Sequence, residues 1–145
     1  SEPYIVFAQQ IYRTAEQYIV KGGKKMQEQT IRELSVELTV AITEMCENIT
    51  GKSVFKNQLL RSCSSIGANV SEAKYAQSRA DFINKMEIAL KECHETDYWI
   101  EILYRVHAIT EEQDKALRKT CGNIRRKLIA SITTAKKNEF EGDIN

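Results

Sequence analysis

Residues 82–106 carry two apolar seams on what their spacing predicts to be a single helix. One seam runs Phe82, Met86, Ala89, Cys93, Ile100 and Leu103. The other runs Ile88, Glu92, Glu95, Trp99, Ile102 and Val106, at alternating steps of four and three. A helix on the surface of a lone bundle needs one buried stripe. A second stripe on another face predicts that this helix closes its bundle on one side and meets another subunit or partner on the other. Function is therefore expected in association rather than in a pocket.

The rest of the chain has the same period. Between Gln29 and Ile49, the residues Ile31, Leu34, Leu38, Ile42, Met45 and Ile49 recur at threes and fours, and the helix they form is expected to end before Gly51. Ser53 is expected to cap a second helix with the core stripe Phe55, Leu59, Cys63, Ile66, Val70 and Ala73. Ser78 with Asp81, and Thr110 with Gln113, resemble capping boxes that start the two-seamed helix and a last helix burying Leu117, Cys121, Ile124, Leu128 and Ile132. Four helices of about 20 to 27 residues with short connections predict an all-α, antiparallel up-down-up-down four-helix bundle. Tyr4 to Val20 also has helical spacing, as an extra N-terminal helix or docked arm, separated from the rest by Gly22 and Gly23. The expected organisation is an extension over 1–25, the bundle over 26–137 and a tail over 138–145.

At 145 residues there is room for one core and not two. A single proline and six glycines, with charges spread throughout, exclude collagen-like and disordered classes. With no run of about 18 apolar residues and no basic stretch leading into an apolar one at the start, a soluble cytoplasmic protein is expected. Cys46, Cys63, Cys93 and Cys121 fall singly on four predicted helices, which fits free thiols in a reducing compartment. Cys63, Cys93 and Cys121 could share one core layer, which leaves a thiolate metal site open in principle, although buried cysteine usually acts as a small hydrophobe. Sequons at Asn48 and Asn69 sit in or beside helices and are read as accidental.

The run QLLRSCSSIGANVSEA at 58–73, AQS at 76–78, DF at 81–82 and IALKECHETDYW at 88–99 resembles the 23S rRNA intervening sequence proteins, whose pattern is QLLRSxxSIGANIxEA, AQS, DF, IALKExxETxYW. The resemblance spans about 110 residues, from near Met26 to Lys137; Val70 replaces isoleucine and the first 25 residues lie outside it. It implies a small bacterial protein that assembles as a homopentamer of four-helix bundles and whose biochemical activity is poorly defined. The family is similar in fold to the accessory variability determinant proteins of diversity-generating retroelements, which bind a reverse transcriptase and nucleic acid. A reverse-transcriptase accessory role is thus an alternative that rests on fold analogy alone.

Arg61, Ser65, Asn69 and Glu72 share one helix face, roughly opposite Leu59, Ile66 and Val70. Ser64, Ser65, Ala68 and Ala76 keep the side chains around that face small, so another helix can approach closely. Glu92 and Glu95 interrupt the second seam, and a carboxylate there must be protonated, hydrogen-bonded or paired. Arg61 is the candidate partner. Arg61, Ser65, Asn69, Glu72, Glu92 and Glu95 are accordingly read as a polar network within or between subunits, and Ile88, Trp99, Ile102 and Val106 as the oligomer seam.

Net charge is only +1, yet Lys115, Arg118, Lys119, Arg125, Arg126, Lys127, Lys136 and Lys137 occur with no acidic residue between them. They form either a solvated face balanced by acidic neighbours or an electropositive stripe that binds RNA phosphates. No aromatic residue interleaves them, so base stacking on this helix is not expected. Di-iron bundles need a glutamate three residues before each histidine, but Lys91 and Tyr104 hold those places before His94 and His107, both read as partly exposed helix residues. Neither Gly22-Gly23 nor Gly51-Lys52-Ser53 follows a strand as a phosphate loop would. No cofactor and no enzyme activity are expected. The overall expectation is a noncatalytic homo-oligomer, of five subunits by the resemblance, that binds RNA or a protein partner, with a metal-binding or redox bundle as the rival class.

Overall fold

The computed structural model describes residues 29–142, the last four by their backbone alone. These form four helices: α1 (Ile31–Glu47), α2 (Ser53–Ala73), α3 (Arg79–Arg105) and α4 (Glu111–Gly142). Among the described residues there is no strand. The segment Tyr4 to Val20 lies outside the described residues, as do positions 143–145 of the expected tail. Contacts run from α1 to α2, α2 to α3, α3 to α4 and α4 back to α1, the closed square of an antiparallel bundle. At 1.5 Å per residue, α4 is about 48 Å long against about 26 Å for α1, so α4 outruns the helix beside it.

Three helix starts are set by side chains. Thr30 and Glu33 exchange hydrogen bonds at the head of α1, the Thr30 amide donating to Glu33 Oε2 over 2.8 Å and the Glu33 amide to Thr30 Oγ1 over 3.1 Å. Ser78 accepts from the Asp81 amide (3.0 Å), and Thr110 with Gln113 form a reciprocal pair (2.9 and 3.1 Å), as their spacing predicted. Ser53 does not cap α2. Lys52 occupies that position with φ 56° and no side-chain bond, directly after Gly51 at φ 69°, so the turn is made by two consecutive left-handed residues and Ser53 is already helical.

Helix α3 ends in a Schellman turn. The His107 amide donates to Tyr104 O and the Ala108 amide to Leu103 O, both at 2.9 Å, with His107 left-handed at φ 60°. His107 therefore lies just past the helix, not within it as its sequence context suggested. Helix α4 continues to Gly142, beyond the expected boundary at Lys137.

The core follows the periodic positions. Leu38, Ile42, Leu59, Ile66, Val70, Phe82, Met86, Ala89, Ile100, Leu103, Ile124 and Leu128 are essentially inaccessible. Two hydroxyls join them between α2 and α3, where Thr96 Oγ1 and Ser62 Oγ lie 3.0 Å apart and each has a carbonyl of its own helix within bonding range. That satisfies both buried groups. A Cβ added to Gly67 would lie 3.2 Å from Ser35 Cβ, so α2 approaches α1 closely through a residue without a side chain.

Two substitutions should move stability in opposite directions. Gly67→Leu should destabilise by about 1–3 kcal/mol through overpacking against Ser35. His107→Gly should stabilise by about 0.5–1 kcal/mol by removing the left-handed penalty. Urea denaturation of each variant, with unchanged m-value, is the measurement that checks both.

Candidate interaction surfaces

On α3 the two seams meet different fates. Phe82, Met86, Ala89, Cys93, Ile100 and Leu103 are buried. Of the second seam, Ile88, Glu92, Glu95, Trp99 and Ile102 are half-buried and Val106 is 38% exposed. Phe55 of α2 stacks on Trp99 with ring centroids 6.1 Å apart, and Tyr98 meets the indole edge-on at 4.9 Å. At this aromatic group Val54, next to Phe55 in sequence, is 68% exposed and Tyr98 53%. One end of the bundle, formed by the start of α2 and the last third of α3, therefore presents large apolar side chains to solvent.

Beside it lies a charge cluster. Arg61 reaches from α2 to both carboxylates of α3, with Nη1 3.2 Å from Glu92 Oε2 and Nη2 bonded to Glu95 Oε1. Arg61 Nε also donates to Gln58 Oε1 at 3.1 Å. The Trp99 indole N–H donates to the same Glu95 oxygen at 3.1 Å. The guanidinium, and then the indole, hold the Glu95 carboxyl below the usual carboxylate range. The pairing of Arg61 with Glu92 and Glu95 is the one the sequence suggested.

The other proposed network members stand apart. Glu72 pairs with Lys85 of α3 at 2.6 Å, and Asn69 Nδ2 donates to the carbonyl of Ser65, one turn earlier on its own helix, at 2.9 Å. Ser65 is half-buried on that turn. The expected network is thus two separate clasps between α2 and α3 with a local bond between them. The α2–α3 pairs add little stability individually, because each has partners that water can reach.

A shallow groove lies between α1 and α2, lined by Val36, Val40, Ser64, Gly67 and Ala68. Val36 and Val40 are about half exposed, at 48% and 52%. This is a second partly apolar face, far smaller in side-chain volume than the aromatic end.

The basic residues of α4 divide into two groups. Arg118 forms a two-pronged pair with Asp97 of α3 (3.2 and 3.3 Å), Lys136 reaches Glu87 of α3 at 2.7 Å, and Lys115 reaches Glu111 one turn earlier at 2.8 Å. Lys127 is 9% exposed and so does not belong to an exposed stripe. Lys119, Arg126 and Lys137 are exposed and Arg125 is half-buried. Half of the expected stripe is therefore neutralised or covered, and half remains.

The thiols give no metal centre among the described residues, where no group of three or more histidine, cysteine or acidic side chains could hold a metal ion. All four cysteines are buried and free. Cys93 Sγ donates to Cys121 O at 3.4 Å, and burial pushes the Cys63 thiol up to about 11. The Cys63 thiol therefore stays protonated and poorly nucleophilic at neutral pH. His94 is exposed on α3, away from any such group. No helix among the described residues is long and apolar enough to cross a membrane.

Because Glu95 is held ionised in the folded chain, its contribution is complete above the ordinary carboxylate pKa and disappears as pH falls through the lowered folded value. Arg61→Met should therefore lower stability by at most about 1 kcal/mol at pH 7, the scale of a solvent-screened pair. The gap between parent and variant should close as pH is taken from 6 to 3. Denaturation midpoints across that range check the sign, and a gap that widens on acidification is the contrary result.

The 23S rRNA-intervening sequence protein family model matches residues 27–130. Similar in structure is a crystallised protein of unknown function from the S23 ribosomal protein family of Bacteroides thetaiotaomicron, 43% identical, with a TM-score of 0.67 and coverage of 71% of this chain and 95% of that one. No curated protein matches. The resemblance carried by the 58–73 and 88–99 motifs is thereby borne out, and the chain belongs to the 23S rRNA-intervening sequence protein family.

Proposed function

We propose that this chain is a noncatalytic bundle that assembles with copies of itself through the aromatic end of α2 and α3, and that the assembly binds RNA through α4. The observation that carries the reading is the cluster Val54, Phe55, Tyr98, Trp99, Ile102 and Val106, large apolar groups left exposed or half-exposed on one continuous end. Patches of this kind mark interaction sites on soluble domains. Buried aromatic anchors dominate such contacts. Trp99 is suited to that role because its indole N–H is already satisfied by Glu95, so closing the surface over it strands no donor.

The Arg61 clasp supports the same reading. It fixes Glu92 and Glu95 beside the aromatic cluster, so a second copy meets paired rather than free carboxylates. Five subunits is the count the family resemblance implies. On each copy, Lys119, Arg125 and Arg126, which form no ion pair among the described residues, would recur around a closed ring and multiply phosphate contacts. Binding of this kind follows charge and shape rather than base identity, since the cations are not interleaved with aromatic residues.

The mass from light scattering should be a multiple of the chain mass at micromolar concentration. Tyr98→Asp with Val106→Asp should shift it to the single chain while circular dichroism keeps its helical form. A strictly monomeric parent rejects the assembly. Fluorescence titration with a structured RNA should give binding at low salt that weakens steeply at moderate salt. Undetectable binding at low salt rejects RNA as the partner.

A further inference from the structure

We propose that Arg125 and Arg126 form a seat for a single phosphate group over Gly122 on α4. The interior of α4 carries a glycine at this position, where alanine is the better helix former. At the point where a Cβ would sit on Gly122, Arg126 Nη1 is 3.5 Å away and Arg125 Nη2 3.7 Å away, and no other side chain comes within 4 Å. Residues three and four positions on lean back over the preceding turn of a helix, so both guanidinium groups fold over the Gly122 backbone, which is itself buried, and converge at one point on its outer side.

Charge singles this place out. Each of Lys115, Arg118 and Lys136 has a carboxylate partner, from Glu111, Asp97 and Glu87 respectively. Among the described residues neither Arg125 nor Arg126 forms an ion pair; Arg126 donates to the neutral Asn123 Oδ1 instead. Two like charges held at one point repel unless an anion lies between them. Guanidinium forks match the oxygens of a phosphate group in geometry as well as charge. Lys119, exposed one turn before Gly122, adds a third cation at the rim.

The phosphate can belong to an RNA backbone or be free in solution, and only the first source rests on the RNA reading above. Two arms separate them. In the first, arginine side-chain resonances of the full chain are followed by NMR during titration with inorganic phosphate against chloride at constant ionic strength. Arg125 and Arg126 should shift together with one saturable curve while Arg118, engaged with Asp97, stays fixed. Arg126→Gln should abolish the Arg125 response.

In the second arm, the double variant Arg125→Gln, Arg126→Gln is titrated with an RNA hairpin over a range of potassium chloride. The slope of log affinity against log salt should fall by about 0.9, the loss of one phosphate contact. Arg105→Gln, on α3, should leave it unchanged. Equal small shifts on every arginine, or no saturable response, overturn the seat whatever the RNA result. A saturable phosphate response with no RNA binding supports the seat as a free-anion site and rejects the RNA reading. An unchanged salt slope in the double variant, with RNA bound, overturns the seat as a contact to RNA.

Discussion

Helix α3 sets the terms for the rest of the molecule. It spans 27 residues between α2 and α4, and its buried stripe from Phe82 to Leu103 is the spine against which both neighbours close. The hydroxyl pair Ser62 and Thr96 and the clasps Arg61 to Glu92 and Glu95, Glu72 to Lys85, Asp97 to Arg118 and Glu87 to Lys136 all have one member on α3. Apolar burial supplies the stabilisation, while the polar clasps set how the neighbouring helices sit along it. The same helix carries a second stripe that α2 covers only in part, through Phe55. A second, partly open apolar face on a helix marks a surface suited to a partner, which is the basis of the proposed assembly.

Much of this was legible in the sequence, because helical periodicity is a direct image of burial. The inner seam of α3 and the stripes of α1, α2 and α4 fall on buried positions, with Phe55 of α2, half-buried against Trp99, as the exception. The starts at Ser78 and Thr110 were legible because a capping box is a local pattern. The partnership of Arg61 with Glu92 and Glu95 was legible because a carboxylate inside an apolar seam needs a cation, and Arg61 is the cation its neighbouring helix places there.

What the sequence hid depends on backbone conformation or on contacts across the bundle. Ser53 was a plausible cap by composition, but Gly51 and Lys52 turn the chain through left-handed geometry and leave Ser53 inside the helix. His107 continues the helical pattern in sequence yet is the left-handed residue that ends α3. Glu72 joins Lys85 rather than the Arg61 cluster, a choice fixed by how α2 lies on α3. The basic run of α4 looked uniform because the acids that neutralise Arg118 and Lys136 come from another helix, and because burial of Lys127 is a tertiary property. Gly122 gave no signal in sequence; its meaning comes from the two side chains folded over it.

Trp99 is the single tryptophan of the chain and sits at the centre of the face in question, so its own fluorescence reports whether that face is covered. The most direct measurement is acrylamide quenching of Trp99 as the protein is diluted from the assembled range to nanomolar concentration. The account predicts an indole shielded at high concentration that becomes markedly more quenchable on dilution, while helix content is unchanged. Quenching that is the same at every concentration, across a range in which the mass of the particle changes, would place the contact elsewhere and contradict the role assigned to the second stripe of α3.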